Sequence, residues 1–130
     1  IVGFPSETEE DFKQTIDLLN DTRPDSVNLS RYSPRPGTEA AEYTQIDVSE
    51  VKRRSKIVFD VSRQILLENN LKWIGWKGDV LFDEKSDTGI QGRNFAYKSI
   101  VVKDKVEICD VHQVEIIDAT KHSLIGKIVS

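Results

Sequence analysis

The stretch Asn28-Leu29-Ser30-Arg31-Tyr32-Ser33-Pro34-Arg35-Pro36-Gly37-Thr38 predicts a strand that ends abruptly in a rigid loop with two arginines. Pro34 and Pro36 each remove a backbone donor, fix one φ angle and push the preceding residue toward extended geometry. Gly37 then permits the turn. A loop of this kind holds its side chains at a low entropic cost, as binding loops on rigid scaffolds do. The alternative interpretation is an ordinary Pro/Gly connector.

The segments around this loop predict the order strand, helix, strand, loop, helix over residues 1–70. Ile1-Val2 is typical of a buried strand end, and Ser26 to Leu29 is expected to form the next strand. Between them, Ser6-Glu7-Thr8-Glu9 predicts a capping box with Ser6 as the N-cap of a helix.

A strand, helix, parallel strand unit brings the loops that follow its strands to one edge of the sheet. We therefore expect Gly3–Glu7 and Arg31–Thr38 to lie at the same edge, where a substrate or cofactor would bind.

The longest helix is predicted to open at a second capping box, Asp47-Val48-Ser49-Glu50, and to end at Glu68-Asn69-Asn70. A domain boundary is expected near residue 70. Cations cluster in the first half of this helix, and they predict either a solvated helix face or an electrostatic shelf for phosphates. They are Lys52, Arg53, Arg54 and Lys56.

The apolar side chains of the first strands and the first helix need a cover. We expect them to pack against the long helix around Val58 to Ile65, or in a homodimer of the chain. They are Val2, Phe12, Ile16 and Leu29.

From Trp73 onward the apolar period changes to two, which predicts several short strands and a small closed or half-closed barrel of the OB type. Phe95 and Tyr97 are assigned to one face of a later strand, which Ile100 to Val102 continues. Both rings are candidate stacking platforms for unpaired bases. The alternative for Phe95 is the barrel core. Trp73 and Trp76 are expected to serve packing.

Composition predicts a soluble globular chain with no membrane span or signal peptide: 130 residues, 38% apolar and 31% charged, with a net charge of −4. Residues 1–71 hold 9 Lys/Arg against 13 Asp/Glu, and residues 72–130 hold 9 against 9. Because neither half is strongly basic, any nucleic-acid binding must depend on local patches.

One cysteine, Cys109, excludes a disulfide framework and a cysteine-ligated metal site within these residues. We expect its thiol to be a small buried hydrophobe, and a reducing cytoplasm to be the setting. His112 and His122 have no ligand partner at metal spacing. The absence of methionine and the strand-like start at Ile1 suggest a piece of a larger protein.

Three stretches together resemble the C-terminal part of the radical S-adenosylmethionine tRNA methylthiotransferases. Ile1–Phe12 resembles the family's strand-to-helix motif late in the radical barrel, and Tyr32–Thr38 with Ala40-Ala41 resembles the loop after the sixth barrel strand. Gly92–Tyr97 and Ser123–Gly126 are similar to the Gly-Arg and terminal Leu-x-Gly elements of the TRAM domain, an OB-like RNA-binding module. The resemblance covers nearly all of the chain.

The resemblance implies an α/β fragment, the last βαβα part of a radical SAM partial barrel, over residues 1–70. A small all-β TRAM barrel is implied over residues 71–130. Asn28–Arg31 resembles the archaeal and eukaryotic branch, whose substrate is N6-threonylcarbamoyladenosine in tRNA, converted to its 2-methylthio derivative. Relatives specific for isopentenyladenosine share the Arg-Pro-Gly-Thr element, so isopentenyladenosine is an alternative substrate. Ribosomal-protein methylthiotransferases usually carry Glu at the position of Arg35.

The family uses S-adenosylmethionine and two 4Fe–4S clusters, each held by three cysteines. Because Cys109 alone cannot ligate either cluster, we expect this chain to bind no cofactor by itself, to have no catalytic residue and to be inactive.

The resemblance also implies an edge of the parent's cofactor site and a set of contacts to tRNA, at the anticodon stem-loop. The cofactor edge comprises Gly3, Phe4, Pro5, Glu7, Tyr32 and Arg35. The RNA contacts comprise Arg31, Arg35, Arg93, Tyr97, Lys98 and Lys121.

Alternatives remain at this level. Arg31 and Arg35 could bind a phosphate or carboxylate, or pair locally with Glu39 or Glu42. The whole chain could be a stand-alone RNA-binding module with no enzymatic parent, or a module that binds another protein.

Overall fold

A computed structural model describes residues 1–129. Contacts divide the chain into two compact units, Ile1–Ile65 and the residues from Leu66 onward. The division falls inside a long helix, α2 (Val48–Leu71), whereas the sequence predicted a domain boundary near residue 70. Before α2, the first unit contains α1 (Glu9–Thr22) and a 3-10 turn at Glu39–Glu42.

The first helix begins two residues later than predicted. Thr8, not Ser6, is the N-cap: its hydroxyl accepts from Asp11 N–H (3.1 Å), while the Asp11 carboxylate accepts from Thr8 N–H (2.9 Å). Ser6 is not available for this role, because the chain around it forms a turn in which Glu7 N–H donates to Phe4 O (2.8 Å). The predicted box of Ser6 and Glu9 is therefore wrong, and a capping box of Thr8 and Asp11 stands two residues later.

The two predicted strands of this unit are reduced to one parallel bridge between Val2 and Arg31. Val2 N–H donates to Ser30 O (3.0 Å), and Tyr32 N–H donates to Val2 O (2.8 Å). Ser26 to Leu29 is not a strand, because the two segments meet only at this point and Pro34 soon ends any pairing. Even so, the bridge is parallel, so Gly3–Glu7 and the loop after Arg31 follow it in the same direction.

Apolar packing around this bridge is satisfied inside the chain. Val2, Phe12 and Val58 are buried together, with Ile16, Leu19, Leu29 and Ile57 packed against them. The expectation that the long helix covers these side chains is confirmed at Val58. They do not require a second copy of the chain for burial.

Helix α2 starts at the predicted place. The Asp47 carboxylate accepts from Ser49 N–H (2.8 Å), as an N-cap does. The reciprocal half of the predicted capping box is replaced, because Glu50 uses its carboxylate oxygens to bind Arg53 and Arg54 instead.

The second unit is a closed five-stranded barrel in the order β1-β2-β3-β5-β4, with β3 and β5 parallel and the other pairs antiparallel. Its strands are β1 (Lys77–Ser86), β2 (Gly89–Arg93), β3 (Ser99–Val102), β4 (Val111–Ala119) and β5 (Leu124–Ile128). The prediction of a small barrel is confirmed. Its core contains the alternating residues of the period-two pattern, among them Val80, Phe82, Ile100, Val114 and Ile116.

The assignment of Phe95 and Tyr97 to a strand is wrong. Both lie in a loop between β2 and β3, which is shaped by the Asn94 side chain: its Oδ1 accepts from Ala96 and Lys98 N–H (3.1 Å each). Phe95 is 82% exposed and so is not barrel core, and Tyr97 has a left-handed φ of 59°. The asparagine supplies the bonds that a strand ladder would have supplied.

Cys109 is exposed, contrary to the expectation of a buried thiol. It lies in the turn before β4 with a φ of 76°, and its N–H donates to Phe82 O (2.7 Å). Cys109 therefore bonds to the barrel through its backbone, while its side chain is exposed.

Residues 1–129 contain neither a membrane-spanning helix nor a cluster of metal-binding side chains. No helix there is long and apolar enough to cross a membrane. No group of three or more His, Cys, Asp or Glu side chains in that range could hold a metal ion.

Substitution of Gly92 tests how closely β1 and β2 pack. A Cβ at this position would lie 2.5 Å from Leu81 O, a backbone atom that cannot move aside. Gly92→Ala should therefore lower the free energy of unfolding of the barrel by about 1–3 kcal/mol, the usual range for overpacking. Urea unfolding followed by tryptophan fluorescence measures this. Lys85→Ala, an exposed change in the same hairpin, is the control, and equal stability of the two variants would contradict the close packing.

Candidate functional site

A buried ion pair holds the Gly3–Glu7 loop of the first unit. The side chain of Arg54 is only 7% exposed and that of Glu7 10%. Arg54 Nη1 donates to Glu7 Oε1 (2.7 Å) and to Glu7 O (3.0 Å), and Gly3 N–H donates to the same Oε1 (3.1 Å). Glu7, predicted to bind a cofactor, thus has one carboxylate oxygen engaged in shaping its own loop.

Glu50 joins this ion pair from within α2. Its carboxylate accepts from Arg53 Nε (2.9 Å) and Arg54 Nε (2.8 Å). These bonds, that from Arg53 above all, lower the pKa of the Glu50 carboxyl to about 2. Burial by itself lowers the pKa of Arg54, but its bonds to Glu7 and Glu50 outweigh this effect and raise it.

Most of the predicted phosphate shelf is therefore neutralised by carboxylates. Arg54 is buried, which also contradicts a solvated face for that residue. Arg53 Nη2 binds Glu9 (2.7 Å) as well as Glu50, and Lys56 binds Asp60 (2.8 Å). Lys52 is the exception: it forms no ion pair with any of residues 1–129.

The Arg31–Thr38 loop lies against the Gly3–Glu7 loop, as the parallel arrangement predicted. The rings of Phe4 and Tyr32 meet edge to face at a centroid distance of 5.3 Å. Thr38 closes the turn, since its hydroxyl and its N–H both donate to Arg35 O (2.7 and 3.2 Å).

Arg31 and Arg35 do not pair with the nearby carboxylates. Glu39 accepts instead from the Tyr43 hydroxyl (2.7 Å), and within residues 1–129 no ion pair involves either arginine. The local-pairing alternative is therefore wrong, and both guanidinium groups keep their donors for a ligand.

Two clefts open along this loop. One, of about 310 Å³, is lined by Gly3, Arg31, Tyr32, Pro34, Gln45, Ile46, Val48, Val51 and Lys52. The other, of about 590 Å³, is lined by Ile1, Ser30, Arg31, Tyr32, Ser33, Arg35, Thr38 and Ala40. Of the predicted cofactor edge, Gly3, Tyr32 and Arg35 line one cleft or the other, whereas Phe4, Pro5 and Glu7 line neither.

In the second unit, topology brings two loops together. Strands β3 and β5 run parallel, with Ile100 paired to Leu124, so the loops before them, residues 94–98 and 120–123, lie side by side at one end of the barrel. We call this surface the barrel end and include residues 70–76, which lead into β1 and bond to β4 through Gly75 N–H and Ile116 O (2.8 Å).

Asn70 links the parts of the barrel end. Its Oδ1 accepts from Lys98 Nζ (3.1 Å), and its Nδ2 donates to Thr120 O (2.8 Å). Neither Asn70 nor Asn94 was predicted as a site residue. The only signal in the sequence is an asparagine at a helix end and another directly after a strand.

Four aromatic rings gather at the barrel end, two of them half-buried and two exposed. Trp73 and Trp76 meet at 5.6 Å, and Phe95 lies 6.0 and 6.1 Å from their rings. The two tryptophans also pack against the barrel core, as expected. Tyr97 is 76% exposed and lies under the Arg93 guanidinium, 4.8 Å from its ring centroid.

The charges of the barrel end are all positive. Its three segments contain Lys72, Lys98 and Lys121 and no carboxylate. By contrast, residues 103–110 in the loop between β3 and β4 hold two lysines against Asp104, Glu107 and Asp110. A chain with nearly balanced totals thus has a local cationic surface that carries aromatic rings. The structure brings together all four predicted RNA contacts of this unit: Arg93, Tyr97, Lys98 and Lys121.

Comparison with known proteins confirms the resemblance. No family model matches the chain, but it matches the C-terminal 30% of tRNA methylthiotransferases along its whole length. It is 37% identical over 131 residues to the probable threonylcarbamoyladenosine tRNA methylthiotransferase of Pyrococcus horikoshii. Identity to the corresponding protein of Archaeoglobus fulgidus is 40% over 134 residues. It is 35% over 133 residues for the tRNA-2-methylthio-N(6)-dimethylallyladenosine synthase of Thermus thermophilus.

The chain spans only part of these relatives. All of this chain aligns with the Pyrococcus and Archaeoglobus proteins, yet it covers 31% and 30% of their lengths. It covers 29% of the Thermus protein, which in turn matches 99% of the chain. The similarity includes the first unit as well as the barrel.

Glu50 should make the first unit sensitive to acid. Its pKa in the folded state is about 2 against an ordinary 4.5, so its contribution is complete above pH 4.5 and is lost as the pH falls toward 2. Glu50→Gln should therefore destabilise this unit at neutral pH, and the difference from the unchanged chain should shrink over that window. Urea unfolding followed by the methyl NMR signals of Val2 and Val58 measures it. Glu42→Gln, an exposed carboxylate, is the control, and a difference that does not vary with pH would contradict the assignment.

Proposed function

We propose that this chain is the C-terminal, RNA-binding part of a tRNA methylthiotransferase that converts N6-threonylcarbamoyladenosine in tRNA to its 2-methylthio derivative. The observation that carries the proposal is the whole-chain match, at 37% and 40% identity, to two archaeal proteins named as probable threonylcarbamoyladenosine tRNA methylthiotransferases. A dimethylallyladenosine substrate is the second candidate, favoured by the 35% identity to the Thermus synthase. Similarity through residues 1–70 argues against a stand-alone RNA-binding module.

The barrel end supports RNA binding by this chain. A five-stranded Greek-key barrel is the OB-type architecture, which commonly binds oligonucleotides, and it is the expected form of a TRAM domain. Exposed rings such as Phe95 and Tyr97 can stack on unpaired bases, as in an anticodon loop. Lys98, Lys121 and Arg93 can contact the phosphates beside those bases.

In this proposal, the residues of this chain do not hold the iron–sulfur clusters. An iron–sulfur cluster needs several thiolates, and Cys109 is the only cysteine of the chain, so these residues do not fit a cluster. We propose that the two 4Fe–4S clusters of the parent activity depend on other residues, and that these 130 residues alone are inactive.

A role at the edge of the S-adenosylmethionine site is proposed for Gly3, Phe4, Pro5, Tyr32 and Arg35. Glu7 would act indirectly, by holding the loop through Gly3 N–H. A cytoplasmic location follows from tRNA as the partner. A homodimer is not needed to bury the apolar residues of the first unit.

RNA binding at the barrel end predicts a salt-dependent affinity for a tRNA anticodon stem-loop. Tyr97→Ala should weaken binding by about 1–3 kcal/mol through lost stacking. Lys121→Gln should reduce the slope of log K against log salt by about 1, because one phosphate contact is lost. Fluorescence anisotropy with a labelled stem-loop measures both quantities.

Lys105→Gln is the matched control, because it removes one lysine from the loop between β3 and β4 and leaves the barrel end unchanged. Binding that does not respond to salt would count against RNA recognition. So would equal effects of Lys105→Gln and Lys121→Gln.

A further inference from the structure

We propose that the 310 Å³ cleft of the first unit binds the carboxylate-bearing threonylcarbamoyl group of the target nucleoside, with Arg31 and Lys52 as its recognition residues. We call it the Arg31–Lys52 cleft. The identity of the ligand rests on the proposed function, and the cleft itself rests on the geometry described above.

The wall of the cleft combines positive charge with apolar surface. Arg31 and Lys52 are its two charged residues, and no carboxylate lines it. Ile46, Val48 and Val51 supply an apolar side. The volume lies at the lower end of the roughly 300–1,000 Å³ typical of small-ligand sites.

Ion pairing sets these two cations apart from their neighbours. Arg53, Arg54 and Lys56 follow Lys52 on the same helix, and each is bound to a carboxylate. Arg31 and Lys52 form no ion pair within residues 1–129. Unlike those three cations of α2, the two that line the cleft thus have no counter-charge within residues 1–129, which favours an anionic ligand.

The cleft is largely preformed. The backbone of Arg31 is held by its bridge to Val2, and two prolines stiffen the loop that follows. Gly3 has a φ of 83° and approaches Val51 so closely that a Cβ would lie 2.7 Å from its methyl carbon. A wall that is already in place costs less conformational entropy on binding than one that must be ordered.

The two candidate substrates differ in the group that each carries on N6 of the adenosine. A threonylcarbamoyl group carries a carboxylate, which a guanidinium binds through paired hydrogen bonds, and a methyl group that suits the apolar side. A dimethylallyl group is entirely apolar and would leave both cations without a partner. The cleft therefore predicts discrimination between the two nucleosides.

Nucleoside binding to the 130-residue chain tests this directly. We expect N6-threonylcarbamoyladenosine to bind at least roughly tenfold more tightly than N6-dimethylallyladenosine, because only the former meets the two cations. NMR titration should shift the amide signals of Gly3 and Val51 with the first nucleoside. Arg31→Gln and Lys52→Gln should each remove most of the preference, whereas Lys56→Gln, a cation on the same helix that does not line the cleft, should leave it unchanged.

Three results would overturn the inference. They are equal affinity for the two nucleosides, a preference that survives both cleft variants, and shifts of the cleft amides with S-adenosylmethionine but with neither nucleoside. If the anticodon stem-loop still binds while neither nucleoside does, the inference fails and the proposed RNA binding stands. If the stem-loop does not bind but the nucleoside preference is observed, the cleft assignment stands and RNA binding at the barrel end fails.

Discussion

The buried ion pair between Arg54 and Glu7 is the interaction on which the first unit depends. It joins the start of α2 to the Gly3–Glu7 loop, and through Gly3 N–H it also fixes the turn of that loop. A charge this well buried is tolerable only because it is fully paired, and removing one partner leaves the other uncompensated. The contact of Phe4 with Tyr32 follows from this placement. So does the wall of the Arg31–Lys52 cleft.

The same ion pairs decide which cations remain for a ligand. In sequence, Lys52, Arg53, Arg54 and Lys56 form one basic run with no distinction among its members. In the folded chain three of them are paired with carboxylates. Two of these pairs, Arg53 with Glu9 and Arg54 with Glu7, join residues that lie far apart in the sequence. Lys52 is left with Arg31 at the cleft. In this unit, the cations available to a ligand are therefore those that no structural ion pair uses.

The barrel end shows a related division between scaffold and surface. Asn94 and Asn70 use side-chain amides to hold loops that have no ladder bonds of their own. This frees Phe95 and Tyr97 from the sheet and leaves them exposed. A strand at this position would have turned one ring into the core, and only a loop presents both rings together with the cations. The physical cost is a left-handed backbone at Tyr97.

Local patterns in the sequence were sufficient for the helices, the alternating core of the barrel and the proline-stiffened loop, because these depend on periodicity and on intrinsic backbone preferences. They also determined the resemblance to tRNA methylthiotransferases. They could not decide that Thr8 replaces Ser6 as a cap, that Cys109 is exposed, or that Phe95 leaves the strand, since each depends on bonds within or between segments that compete with the local preference. The pairing of Arg54 with Glu7, and hence the identity of the unpaired cations, was decided only by tertiary structure, because it joins residues 47 positions apart.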